Sequence, residues 1–480
     1  MRVLENIEPK EVWYWFEEIS GIPRPSGEEK RIADFLIEFA RKRGLEYHRD
    51  EVDNVLICAA GSGKAADHPG LVLQAHVDIV AEKTDESSHD HSKDPIVPSI
   101  RGDWVTSPDT TLGADNGIGV SLMLAVLDSE DISHPPLECL FTTDEERGLT
   151  GAGNLDPEWI KYRRLVNLDS EDEGVFTIGC AGGMDIHLSM PLKRSEPVDC
   201  YRLEISGLKG GHSGMEIDKN RGNAIRFLGR ILRSLSFEHN CLIAGISGGT
   251  KRNAIPRSAS AFIHFPQGDT IHARECLGRV SEEMALEYSG IEDGIKVRME
   301  HEPVKAGPVD YETGLRITDL LLALPHGVEK KSGVIDGLVE TSVNLAIVSM
   351  SSDEFTVELT VRSPFQSAKR ALGDRIAAVA RLAGCSFITG GSYPGWMPDS
   401  NSILLKKLID IYAEISGREP QVESIHAGLE CGLIGDRIGK MDMISMGPDI
   451  RDVHIPGERA SISSLQRFWK FFLSILETLD

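Results

Sequence analysis

The stretch LVLQAHVDIV, residues 71–80, reads as a buried β-strand that carries two polar groups. His76 and Asp78 stand two apart, so in an extended chain they face the same side. A buried imidazole and a buried carboxylate are costly unless something pairs with them. The strand therefore points at a polar or charged partner.

Working outward, VLICAA, LECLFTT and LVNLDS are further strand patterns, and GIGVSLMLAVLD is a helix between them. This alternation, up to about residue 182, predicts an α/β sheet with helices on its faces. Upstream, residues 9–45 read as two helices. Ser26 to Glu29 (SGEE) has the form of a capping box, an apolar stripe of Ile32, Phe35, Leu36 and Phe39 follows, and Gly44 ends it. From Met184 the pattern changes to half-buried strands and amphipathic helices: MDIHLSMPL, YRLEISGL, NAIRFLGRILRSL, CLIAGIS, SASAFIHF and ECLGRVSEEMALEY. A similar order follows from TGLRITDLLLAL to SFITGG. After Trp396 the α/β character returns. The fold class expected is α/β: a mixed-sheet domain from 1–183 and 391–480, interrupted over 184–390 by an inserted α+β domain with two related halves.

The chain has 480 residues, 41% of them hydrophobic, enough for more than one domain. A formal net charge of -24 disfavours nucleic acid and anionic membranes as partners. No apolar run approaches the ~20 residues of a membrane span. The acidic start lacks the features of a signal peptide. Eight scattered cysteines without a CxxC pair suit free thiols in a reducing cytoplasm.

Polar clusters recur where strands end. Asp115 lies in TTLGADNGIG, Glu145 and Glu146 in TTDEERG, Asp169 in LVNLDSEDEG, and His454 in PDIRDVHIPGE. Ligands of open α/β sheets bind beyond the carboxyl ends of strands. Imidazole and carboxylate donors together suit a divalent metal, zinc first, with cobalt or manganese fitting the same donors. Taken singly, an Asp in a glycine-rich turn or an adjacent Glu pair is usually structural or solvated. The run His89, Asp90, His91 lacks a strand-end setting and reads as a solvated loop.

AHVD, TTLGADNGIG, DEERG, NLDSE, GGHSG and the late His454 resemble the M20 family of dizinc metallopeptidases, and HAGLECG (426–432) with the large insert resembles its Xaa-His dipeptidase branch. The resemblance spans nearly the whole chain. It departs at Ala75, where the family usually has Gly, and around His454. It implies a zinc-peptidase catalytic domain with the insert as a lid, and two Zn²⁺ per subunit. His76, Asp115 and Asp169 would hold one ion, and Glu146, Asp115 and His454 the other. Asp78 would brace His76, Glu145 would be the general base, and His212 would stabilise the oxyanion. Asn253 and Arg362 would hold the substrate's terminal carboxylate. A cis peptide between Asp115 and Asn116 is also implied, as is a lid His that crosses to a neighbouring subunit in shorter members.

The activity expected is metal-dependent hydrolysis of Xaa-His or other dipeptides. An aminotripeptidase, an N-acyl amino acid deacylase and a catalytically dead metal-binding protein are the alternatives. The partners expected are a small peptide and, as one option, a second copy of the chain.

Overall fold

The strand Leu71–His76 lies inside an eight-stranded sheet with every residue buried. A computed structural model describes residues 2–303, 306–333, 335 and 337–480. Across the sheet the strands run Glu46–Arg49, Val55–Ala59, Leu137–Thr142, Leu71–His76, Arg164–Asn167, Asp442–Ser445, Val175–Cys180 and Gln421–Ile425. The middle four are parallel. Strands buried on both faces are expected to be almost continuously apolar, as LECLFT and LVLQAH are. The helix Ala114–Asp128 is buried nearly all round, consistent with its lack of a polar face. It shares one core with Lys10–Ser20, Lys30–Arg43, Ile403–Ser416 and Ile462–Thr478.

Two compact units emerge. One comprises residues up to Cys180, Trp396–Ser424 and Leu429–Asp480, and the other Ala181–Gly395 with Ile425–Gly428. The expected boundaries at 184 and 390 differ by a few residues, because the strands Gly182–Pro191 and Ser386–Tyr393 run past them. The C-terminal strand Asp442–Ser445 pairs in parallel with Arg164–Asn167, so the first unit is built from both ends of the chain.

The second unit is an antiparallel sheet ordered Lys296–His301, Tyr201–Ser206, Ala259–His264, Leu242–Gly248, Val339–Met350, Glu354–Ser363, Gly182–Pro191 and Ser386–Tyr393, with Gly327–Lys331 added on Val339–Met350. It contains two halves, each strand–helix–strand–strand–helix–strand. Tyr201–Ser206, Ala224–His239, Leu242–Gly248, Ala259–His264, Thr270–Glu287 and Lys296–His301 form one. Gly182–Pro191, Tyr311–Ala323, Val339–Met350, Glu354–Ser363, Gln366–Ala383 and Ser386–Tyr393 form the other. The two halves meet through their second strands, Ser247 opposite Ser349 and Gly248 opposite Val348. MDIHLSMPL thus belongs to the later half, and the earlier half is nested inside it. Joining two edges leaves fewer unpaired strand edges to protect. The apolar faces of the four helices close over one core with the sheet. Among the described residues no helix is long and apolar enough to cross a membrane.

Candidate metal centre

The four parallel strands end at His76, Thr142, Asn167 and Ser445. The segments just beyond three of them carry Asp78, the Glu145–Glu146 pair and Asp169. The loop after Ser445 leads to His454.

His76 is 1% exposed. Its Nε2 lies 3.1 Å from Asp115 Oδ1 and 3.4 Å from Asp169 Oδ1. His454 Nε2 lies 3.0 Å from both Asp115 Oδ2 and Glu146 Oε1. The two oxygens of Asp115 are therefore divided between two imidazoles. Around a tetrahedral ion with bonds of ~2.0–2.1 Å, neighbouring donors stand about 3.3 Å apart. The donor atoms of His76, Asp115 and Asp169 all lie within 4.8 Å of one another, as do those of Asp115, Glu146 and His454. Glu146 Oε1 is buried and faces His454 Nε2 without good hydrogen-bond geometry. The spacing, the burial and the mixed imidazole–carboxylate donors all fit divalent cations.

Asp115 is delivered by a tight turn. Gly113 has φ 70°, where a side chain would be strained, and a Cβ there would come within 2.7 Å of Ile79. The Asp115–Asn116 peptide is cis, as the resemblance implies. The turn is held by a residue that sequence reasoning missed. The Glu458 carboxylate accepts the backbone N–H groups of Leu112 (2.8 Å), Gly113 (2.9 Å) and Asp115 (3.1 Å). Buried Arg24 donates to the carbonyls of Val77 and Gly113, tying the two loops together.

Asp78 is fully buried, and its backbone carbonyl and Oδ1 lie 3.1 and 3.4 Å from His76 Nδ1. Its carboxylate also accepts from the backbone N–H of Glu145 and Glu146 and from Ser26 Oγ. Glu29 Oε1 accepts from Gly27 N and Asp144 N. The capping box expected at Ser26–Glu29 is therefore absent: both side chains are drawn into the site, and the helix Lys30–Arg43 starts without a side-chain cap. Gly44, at φ 68°, does end that helix.

Without a cation the charges are strongly perturbed. Burial pushes the Asp169 carboxyl up to about 7, with Asp115 and Glu146 adding to it against the pull of His76. Burial, with Asp169, Glu146 and Glu430 nearby, raises Glu145 well above the carboxylate range. Despite burial, Asp115 and Glu146 hold His454 up at about 11. Despite burial, Asp115 stays well below the usual range because His454 and His76 bond to it. Protons here take the place that positive ions would fill.

A third set, His76, Glu145 and Glu146, also lies within 4.8 Å. It does not share Asp115, and Glu145 is half-buried beside the other two sets rather than common to them. The set Glu238, His239 and Cys276, in the second unit, already holds a cation, since Arg279 bonds both Glu238 and Cys276. His89 and His91 are half-buried, their rings 4.5 Å apart, rather than fully solvated, and belong to no such set among the described residues.

His212, Asn253 and Arg362 lie in the second unit. His212 Nδ1 accepts from Met215 N at 3.1 Å and Gly214 N at 3.3 Å, which leaves the proton of a neutral ring on Nε2. Burial and the charge of Arg362 lower its pKa, keeping the ring neutral. Asn253 is exposed, and Asn344, another residue not singled out from sequence, donates to the carbonyls of Arg252 and Ala254 on either side of it. Arg362 is 7% exposed.

Comparison with known proteins places this geometry. The family model for the M20 peptidase dimerisation domain matches residues 203–290, within the nested half of the second unit. The cytosol non-specific dipeptidase of Escherichia coli is 36% identical over 482 residues, covering 100% of this chain and 99% of that protein. The solved structure of an aminoacylhistidine dipeptidase from Vibrio alginolyticus is 38% identical, with a TM-score of 0.90 over 99% of this chain and 97% of that one. A tripeptidase from Staphylococcus aureus, 17% identical with a TM-score of 0.56 over 98% of each chain, shares the fold. With a cytosolic dipeptidase matched end to end and the strand-end donors in place, the chain belongs to the M20 family of metallopeptidases.

Proposed function

We propose that the chain is a dipeptidase, of Xaa-His or broader preference, that works with two Zn²⁺ held by His76, Asp115 and Asp169 and by Asp115, Glu146 and His454. The observation that carries this reading is the division of the Asp115 oxygens between His76 and His454, with Glu145 beside them. When bound, the ions supply a water of lowered pKa and an electrophile for the scissile carbonyl.

Glu145 takes the water's proton and later delivers it to the leaving amine. Its raised affinity for protons suits that role, and neighbouring cations would bring it down toward the working range. Asp78 fixes the His76 tautomer with Nε2 free to ligate. The Nε2–H of neutral His212 donates to the developing oxyanion. Asn253 and Arg362 hold the substrate's terminal carboxylate. Two relatives are named as dipeptidases, which favours the dipeptide over the tripeptide and N-acyl readings. The compartment proposed is the cytoplasm, supported by the relative's name and by eight free thiols.

The test is hydrolysis by metal-loaded protein of Ala-His, Ala-Ala, a tripeptide and an N-acetyl amino acid. Metal-dependent cleavage confined to the dipeptides is expected. Cleavage of the tripeptide or the acyl substrate alone would replace the reading, and no cleavage by a protein loaded with two ions would end it.

A further inference from the structure

Arg362 is a buried cation that makes no ion pair among the described residues; its Nη1 bonds the Tyr393 hydroxyl, and its Nε has no hydrogen-bond partner. A guanidinium kept out of water without an anion is costly. Its surroundings are built around it. Ser342, Arg362, Gly183 and Tyr393 stand opposite one another on four adjacent strands. Directly opposed residues share a face of the sheet.

Gly183 leaves a gap in that row, and the Tyr393 ring fills it. A Cβ at Gly183 would come within 2.4 Å of the ring, and one at Gly428 within 3.0 Å. So seated, the Tyr393 hydroxyl accepts from Arg362 Nη1 at 3.0 Å. On the other side of Arg362, Ser342 Oγ lies 2.7 Å from His426 Nε2. His426 is 6% exposed; the Val339 backbone interacts with its ring, and its Nδ1 meets no partner of good hydrogen-bond geometry. Burial and the Arg362 charge hold its pKa at about 3, so the ring is neutral. Where Ser342 donates to Nε2, the proton of His426 sits on Nδ1. In that arrangement two buried donors, Arg362 Nε and His426 Nδ1, lack an acceptor of good geometry beside one cation.

We propose that His426 donates, beside Arg362, to the α-carboxylate of the substrate's C-terminal residue, and that Tyr393 is the positioning residue that aims Arg362 at it. This rests on the dipeptidase reading above, in which Arg362 meets that carboxylate. The HAGLECG run then contributes a specificity-determining histidine rather than only a turn.

The experiment compares Ala-His with its C-terminal amide on the metal-loaded full chain. His426→Ala and Tyr393→Phe should each raise KM for the free acid roughly tenfold, the effect of losing one hydrogen bond to a charged group. Their kcat should fall less than their kcat/KM, and the loss in kcat/KM should be clearly smaller for the amide, whose neutral oxygen accepts the same hydrogen bond more weakly. His426→Asn, which keeps a donor near the Nδ1 position, should recover part of the loss. Ser342→Ala, the mildest change, should move KM in the same direction with the melting temperature preserved. Equal losses on acid and amide would overturn the proposal, because a merely structural role does not distinguish them. Arg362→Met is the separate control. If it fails to discriminate acid from amide, the carboxylate clamp itself is wrong; if it discriminates and the other variants do not, only the roles of His426 and Tyr393 fall.

Discussion

Asp78 accepts the backbone N–H of Glu145 at 3.1 Å while its backbone carbonyl lies 3.1 Å from His76 Nδ1. Its carboxylate, with Oδ1 3.4 Å from the same Nδ1, thus couples the proposed ligand His76 to the turn that carries the proposed base. Asp78→Asn puts an amide N–H where a backbone N–H already points. Metal affinity should fall roughly 10–100-fold, as for other partners that orient ligands, and kcat should fall with it. Titration of the apo variant with Zn²⁺ checks this. Unchanged affinity would confine Asp78 to packing.

Glu145 and Glu146 are neighbours with different expected roles. Glu145→Gln should keep two ions and lose at least ~10² in kcat, the range of general-base catalysis. Glu146→Gln should instead lower metal content, because in the proposed arrangement Glu146 and His454 share an ion with Asp115. Elemental analysis alongside kcat separates them. The reverse pattern would exchange the roles of the two neighbours, whereas loss of metal in both variants would support the set of His76, Glu145 and Glu146 as ligands instead.

Metal removal should make stability fall with rising pH. Burial pushes Asp169 to about 7, Glu458 to about 7 and Glu430 to about 8 in the metal-free protein. Above the ordinary carboxylate value of about 4 the unfolded chain releases these protons while the folded chain retains them. Stability then declines as pH rises from there through about 8. His454, raised to about 11, is charged and paired in the fold, and loses that contribution only as pH climbs from its ordinary value toward 11. The melting temperature in chelator should drop from pH 5 to pH 8, whereas with Zn²⁺ it should be held nearly level at the upper end. A chelated protein that becomes more stable over this range contradicts the assignment.

The strand-end cluster was legible because its signal is local. His76 and Asp78 interrupt an apolar run, and Asp115, Glu146 and Asp169 each follow a strand or turn pattern. Ser26 and Glu29 misled because their spacing also fits a helix cap, and only the long-range pairings with Asp78 and Asp144 decide between the two. Glu458, four residues after His454, carries no pattern of its own: its role exists only once the Leu112–Asp115 turn is folded against it. Tyr393 and His426 depend on sheet register and on the empty side of Gly183, which no periodicity reveals. The two halves of the insert were visible as an order of elements, but MDIHLSMPL went to the wrong half because one half is nested within the other.

That nesting bears on how His212 acts. The match to a peptidase dimerisation domain, residues 203–290, covers most of one half. Its second strand is joined to the second strand of the other half within the same chain, Gly248 opposite Val348. An edge that could receive a second subunit is therefore already occupied. The expectation is that His212 serves the metal centre of its own chain, whether or not the protein dimerises. The check mixes His212→Ala with Glu145→Gln under conditions that let subunits exchange. If His212 acted across a dimer, mixed dimers would each rebuild one complete site, and roughly a quarter of wild-type activity would return by the statistics of a symmetric pair. No recovery is expected, with exchange verified by mass spectrometry of differently tagged chains. Recovery toward a quarter would make a second subunit part of the catalyst and assign the intrachain strand pair a purely architectural role.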